Sequence, residues 1–332
     1  MMTLQRNSDF LLSTFYTIDM AKMSTAIVIT VKNDEVGLQK LLQRIAEQTV
    51  LPDEVIITVA NSLDESLRVA QSWWCEGITV KVISLTKATR AYGRNIGVAK
   101  AKSEIIVFTD AGCVPEKNWL EELTIPFQSQ TTKLVSGLTW VTSKNSWEEA
   151  QAPFVLVPPN QIPDHPLPAT RNMAILKTVF LKHKGFHPDL NFAEDYEFAR
   201  RLRSKNILAE FVPSAVVWWQ PRANITEFMS MIYRLTSGDI QARTWRLGHF
   251  TMMARYAVFL SLPWFFSFWV DTKDSVMLSL LCYLFYICIK TVRFPYQNWK
   301  SYIWSPLLQL LTDLTILVSL GQALLRLKKS RK

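Results

Sequence analysis

The chain has 332 residues, 49% of them hydrophobic and 20% charged, with 12 Trp and 18 Phe, which supports a large core and excludes a disordered or fibrous protein. Its net charge of +9 is unevenly placed: residues 1–250 carry 27 Lys and Arg against 25 Asp and Glu, whereas residues 251–332 carry 10 against 3. The basic excess therefore flanks an apolar tail, which points to an anionic membrane surface and away from nucleic acid, whose binding would call for a basic, aromatic-laced stripe on the soluble part.

Residues 1–24 hold Asp9 and Asp19 and no apolar run of signal-peptide type, and are expected to be a loose extension. From Thr25 short β-branched runs alternate with helical periodicity. TAIVITV (25–31) reads as a buried strand and VGLQKLLQRIAEQ (36–48) as a helix with Leu38, Leu41, Leu42 and Ile45 on one face. EVIITVA (54–60), ITVKVIS (78–84) and EIIVFTD (104–110) are further strands, separated by helices at 62–74 and up to Lys102. Pro115 suits the first turn of a following helix. This alternation predicts a doubly wound, mostly parallel α/β sheet over 25–223, with ligands at the carboxyl ends of the strands. The strand LVSGLTWV (134–141) precedes a stretch with six prolines (152–172), a long loop over a site. Helical pieces are expected at 174–184 and 194–205, and a strand within 207–219.

Residues 224–250 hold an amphipathic helix, with Ile225, Phe228, Met229, Ile232 and Leu235 on one face, that either docks on a membrane interface or packs ordinarily. Three apolar segments follow in the membrane region 251–332, at 251–270, 275–289 and 302–325. A span needs roughly 20 apolar residues, so the second is short, and the third is interrupted by Asp313. The positive-inside rule puts the basic 290–300 link and the basic 326–332 tail in the cytoplasm with the soluble domain, and Asp271–Asp274 outside. The first two segments then form a hairpin, and the third enters and returns or lies in the interface. The expected setting is a multi-pass cell-membrane protein. Four cysteines without a CxxC pair fit a reducing compartment and carry neither a disulfide framework nor a zinc site.

Two acids stand where the pattern allows chemistry. Asp110 ends the fourth strand; alone it reads as a helix cap. Asp195 opens a helix with acids early and arginines late; alone it reads as macrodipole complementarity. Their order in the chain is more telling: Asn33-Asp34 after the first strand, ATRAYGRNIGVAKAKSEIIVFTDAGCVP (88–115), ATRNMAIL (169–176), then GFHPDLNFAEDYEFARRL (185–202). The RNxG element (Arg94, Asn95, Gly97), the strand ending in Asp, and the Glu194-Asp195 pair after a G-F-x-P turn resemble family 2 glycosyltransferases, inverting enzymes of the GT-A fold. The resemblance runs from Thr25 to Trp245 and more weakly into the tail.

The resemblance implies a GT-A-like domain and a set of roles. Asp195 matches the catalytic base, with Glu194 beside it. Asn33, Asn61, Arg90, Arg94, Asn95 and Asp110 fall at the donor, and Arg171 and Asn172 at the acceptor. Asp110 is also the metal-ligand position, but the DxD motif reads Asp110-Ala111-Gly112, and Asn61 stands where the family has an acid. The missing carboxylate at Gly112 argues against the Mg2+ or Mn2+ the family implies, and leaves Arg90, Arg94 and Arg171 to share the leaving-group charge. The function expected is transfer of a sugar from a nucleotide-sugar donor to a lipid-linked or saccharide acceptor, with membrane lipids as partners, in cell-envelope polysaccharide or glycolipid synthesis. The alternatives are a polyprenyl-phosphate acceptor, which needs no base, and a non-catalytic nucleotide-binding relative. No GxGxxG or P-loop run is present, which excludes dinucleotide and P-loop enzymes.

Overall fold

The computed structural model describes residues 23–244, 246–292 and 294–330. The expected extension over 1–24 falls almost wholly outside them, as do Trp245 and the end of the basic tail. The described residues form eight strands: β1 Thr25–Val31, β2 Glu54–Ala60, β3 Thr79–Leu85, β4 Ile105–Asp110, β5 Cys113–Pro115, β6 Leu134–Val141, β7 Met173–Leu176 and β8 Glu210–Trp219. The helices of the sheet domain are α1 Glu35–Ala46, α2 Ser66–Ser72, α3 Arg90–Lys100, α4 Trp119–Thr124, α5 Ser146–Glu149, α6 Lys177–Lys182 and α7 Glu194–Arg203. Four longer helices follow: α8 Ile225–Gln241, α9 Leu247–Phe266, α10 Thr272–Val292 and α11 Ser301–Ser330.

The strands form one sheet in the order β3-β2-β1-β4-β7-β6-β8-β5. β1 to β4 are mutually parallel, β7 runs antiparallel to β4 and β6, and β5 runs antiparallel to β8. Alternate side chains of β1 serve opposite faces, as a period of two requires. Ile27, Ile29 and Val31 pack with Leu38, Leu41 and Leu42 of α1 and Trp119 of α4. Ala26 and Val28 pack with Ala91 and Val98 of α3 and Phe198 of α7. With helices on both faces the central strands carry near-continuous apolar runs. Each large aliphatic side chain buried this way contributes roughly 1.5–3 kcal/mol.

Three expectations change. Residues 173–176 are a strand, not the start of a helix. Met173, Ala174 and Ile175 pair with both β4 and β6, and that two-sided ladder outweighs the helical spacing. Pro115 lies in β5, at the edge of the sheet, where a missing N–H breaks no ladder bond. Among the apolar segments the second and third are long and apolar enough to cross a membrane, Thr272–Lys290 and Ser301–Gln322, whereas the first gives a shorter apolar helix, Phe250–Phe266.

The third segment is continuous through Asp313 because its carboxylate is satisfied by neighbours. Tyr256 and Tyr283 hydroxyls donate at 3.0 and 3.2 Å, Gln309 Nε2 donates at 2.8 Å, and Arg255 pairs with it. The apolar face of α8 is packed rather than open: Phe228 and Ile232 are buried with Leu308 of α11. Ser237 and Ser319 hydroxyls meet at 3.0 Å, and the Tyr233 hydroxyl donates to Gln322 at 2.6 Å. Glu149 receives the backbone N–H groups of Gln297 and Asn298 just before α11.

Candidate active site

The carboxyl ends of β1, β2 and β4 open into a cavity of about 1480 Å3. Its polar wall comes from the turn after β1, the start of α3, the end of β4 and the start of α7. Apolar lining comes from Val155, Leu156, Ile162 and Leu167 of the proline-rich loop and from Met231 and Leu235 of α8, which also brings Glu227 and Arg234 to the cavity.

Arg94 organises the polar wall. It lies on the inward stripe of α3 with Ala91 and Val98, and its side chain is only 2% exposed. Nη2 donates to Asp110 Oδ1 at 2.6 Å, and Nη1 to Glu194 Oε1. One guanidinium therefore joins the end of β4 to the first turn of α7. Ala193, just before that turn, sits at φ 60°, a left-handed conformation that a β-carbon disfavours by roughly 1–2 kcal/mol. Such strain persists only where surrounding contacts fix the backbone.

Asp195, next to Glu194, is half-buried and lines the cavity. Its Oδ2 accepts from the Thr170 N–H at 3.2 Å and its Oδ1 from the Tyr196 N–H at 2.7 Å. Thr170 has no signal of its own in the sequence beyond its place beside Arg171.

Burial pushes the Glu194 carboxyl up to about 7; Arg94 opposes this and Asp195 adds to it. Burial also acts upward on Asp110, but Arg94, Arg90 and Arg171 outweigh it and hold that carboxyl below its ordinary range. The Cys113 thiol beside the site is pushed up to about 12 by burial and by Asp110, so it stays protonated and is no nucleophile.

Asn33, Arg90, Arg94, Asp110, Arg171, Asn172, Glu194 and Asp195 all line this cavity. Asn61 and Asn95 do not. Both amide atoms of Asn95 are taken by the Phe186 backbone, at 2.7 and 3.0 Å, where they clamp the G-F turn. Gly185 in that turn has φ 57°, and a β-carbon there would lie 2.8 Å from Asn95 Oδ1. Asn172 is equally occupied: its Oδ1 accepts from Trp119 Nε1, and its Nδ2 donates to Leu138 and Ala215 carbonyls, each at 2.8 Å. Its amide thereby anchors the cavity wall. Asn33 Oδ1 accepts from the Leu63 N–H at 2.8 Å and so buttresses the turn after β2. Glu227 and Arg222 also face the cavity, unmarked by any motif.

The donor set does not fit a divalent cation. Asp110 Oδ1 is held by Arg94, Gly112 supplies no ligand, and no group of three His, Cys, Asp or Glu side chains is placed to bind an ion among the described residues. Mg2+ and Mn2+ want several hard oxygen ligands, usually including carboxylates.

Residues 26–187 match the family described as Glycosyl transferase family 2. No curated protein matches the chain. Among solved structures, a mannosyltransferase from Pyrobaculum calidifontis in complex with GDP-Man and Mn2+ superimposes with a TM-score of 0.55. It is 16% identical, with 89% of this chain and 87% of that one covered. At this identity the likeness is one of fold.

Proposed function

We propose, from the match of residues 26–187 to glycosyl transferase family 2 and from the GT-A-like fold, that the chain transfers a sugar from a nucleotide-sugar donor to an acceptor hydroxyl with inversion at the anomeric carbon. The observation that carries this reading is the Arg94 bridge, which brings Asp110 and the Glu194-Asp195 turn to one cavity.

In this reading the donor lies along the polar wall, its ribose and diphosphate near Asp110 and Arg90. The acceptor oxygen attacks the anomeric carbon as the bond to the β-phosphate oxygen breaks. That bond's electron pair leaves with the nucleoside diphosphate. Asp195 takes the acceptor's proton, a role worth typically 10²–10⁴-fold in rate. A single displacement inverts the centre. Glu194 is buried against Arg94 and acts as a positioning group for the turn that presents Asp195. No step is routed through a metal.

The apolar lining from the proline-rich loop and α8 favours an acceptor carrying a lipid, which suits envelope glycolipid or polysaccharide assembly. We further propose that α9 and α10 enter the bilayer as a hairpin, with the Asp271–Asp274 tip outside and the sheet domain cytoplasmic. α11 packs along α8 and is tied to Glu149 at its start, which supports an interfacial position that leaves the basic tail inside.

The test is release of nucleoside diphosphate by the full chain in nanodiscs, supplied with nucleotide sugars and lipid-linked or lipid-phosphate acceptors. Release that Asp195→Asn lowers at least a hundredfold is the expected result. Undiminished release by that variant removes Asp195 as the base and favours the phosphate acceptor, already ionised. Absence of binding by any nucleoside diphosphate overturns the transferase reading.

A further inference from the structure

We propose that arginine side chains, in place of a divalent cation, hold the donor's diphosphate in this chain. The inference rests on the transferase reading and specifies how its site neutralises the leaving group.

Arg90 and Arg171 line the same cavity as Asp110, and neither is engaged in an ion pair among the described residues. The Arg90 guanidinium lies over the Phe192 ring at 4.8 Å, and that of Arg171 over the Trp219 ring at 5.7 Å. A guanidinium stacked on an aromatic face is fixed in orientation while its N–H edge stays free for a ligand. That edge matches two phosphate oxygens, and such charge-assisted pairs are roughly twice as strong as neutral hydrogen bonds. Arg94 is hydrogen-bonded to Asp110, and Arg90 and Arg171 also bear on it electrostatically, so the carboxylate at the metal-ligand position lies in a cationic field. Their field attracts a diphosphate and repels a dication.

Position 112 completes the argument. A β-carbon there would meet only Asp34 Oδ2, at 3.6 Å, an ordinary contact. Space for a side chain is therefore present, and a second carboxylate is absent by composition, not by crowding. Asp34 is the nearest substitute, with its Oδ1 already accepting from the Gly37 N–H at 3.1 Å.

Calorimetry of the full chain in detergent with GDP and UDP, in EDTA and then in Mn2+, tests this. The expected result is an affinity for the preferred nucleotide that changes less than threefold between the two conditions. Arg90→Gln and Arg171→Gln should each weaken it at least tenfold in EDTA, with the melting temperature confirming that each variant is folded. Gly112→Asp should create a Mn2+ response that the native chain lacks.

Binding that disappears in EDTA and returns with Mn2+ overturns the inference and leaves the transferase reading standing. Loss of that response in Asp34→Asn would then assign the ion to Asp34. Folded arginine variants that bind as tightly as the native chain also overturn it. Failure of every nucleotide in both conditions overturns both readings.

Discussion

Arg94 and Glu194 form an ion pair inside the protein across 100 residues of sequence, with side chains only 2% and 4% exposed. Removing one member of a buried pair strands the other without compensation, at about 3–5 kcal/mol. Arg94→Met strands Glu194 and also releases Asp110. Chemical denaturation should show a loss of that size, and Arg94→Met combined with Glu194→Gln should recover a substantial part of it.

Stability should depend on pH through two carboxyls of opposite sign. Glu194 rises from 4.5 to about 7 on folding, so the folded form binds its proton more tightly. Its contribution is complete below its unfolded value and is lost as pH climbs through 7. Glu54 falls from 4.5 to about 2, because Lys81, Ser103 and two backbone N–H groups outweigh its burial. Its contribution is present above 4.5 and lost as pH falls toward 2. Glu194→Gln should flatten the decline between pH 5 and 7. Glu54→Gln should destabilise at pH 7 and cease to matter near pH 2. Melting curves across pH check both.

Gly137 sits in β6 where a β-carbon would lie 2.4 Å from both the Ala215 carbonyl and Asn172 Oδ1. Gly137→Ala must displace backbone or break the Asn172 anchor. Overpacking of this kind costs about 1–3 kcal/mol. The melting temperature should drop, and donor affinity should weaken with it because Arg171 is the neighbour of Asn172.

Asp313 gathers Arg255, Tyr256, Tyr283 and Gln309 from three helices. Asp313→Leu leaves Arg255 unpaired among apolar surfaces. Each interhelical polar contact of this sort is worth about 0.6–2 kcal/mol. The variant should melt earlier in detergent, and a double-mutant cycle with Arg255→Met should return a coupling energy in that range.

The sheet was legible because strands covered on both faces must be apolar along their length, as TAIVITV and EIIVFTD are. Asp110 stood out because it ends an apolar strand, and Glu194-Asp195 because the 185–202 run resembles the family. Arg94 could be placed at the nucleotide pocket but not recognised as the link between them. The available signal was its position between Ala91 and Val98, a charged residue on an inward stripe, which asks for a buried partner. β7 and β5 were hidden for another reason. A strand of three or four residues is stabilised by neighbours distant in sequence, and its own composition says little. The partners that Asn95 and Asn172 take within the fold, the Phe186 backbone and the Trp119 indole with two carbonyls, were not legible because an amide suits a backbone as well as a sugar.

The stretch that matches the family model ends at residue 187, seven positions before the acid that Arg94 pairs with. A fragment trimmed to that stretch would retain the guanidinium and Asp110 yet discard Glu194 and Asp195 beside it. A fragment meant to keep this bridge intact must therefore run past the end of α7 at Arg203.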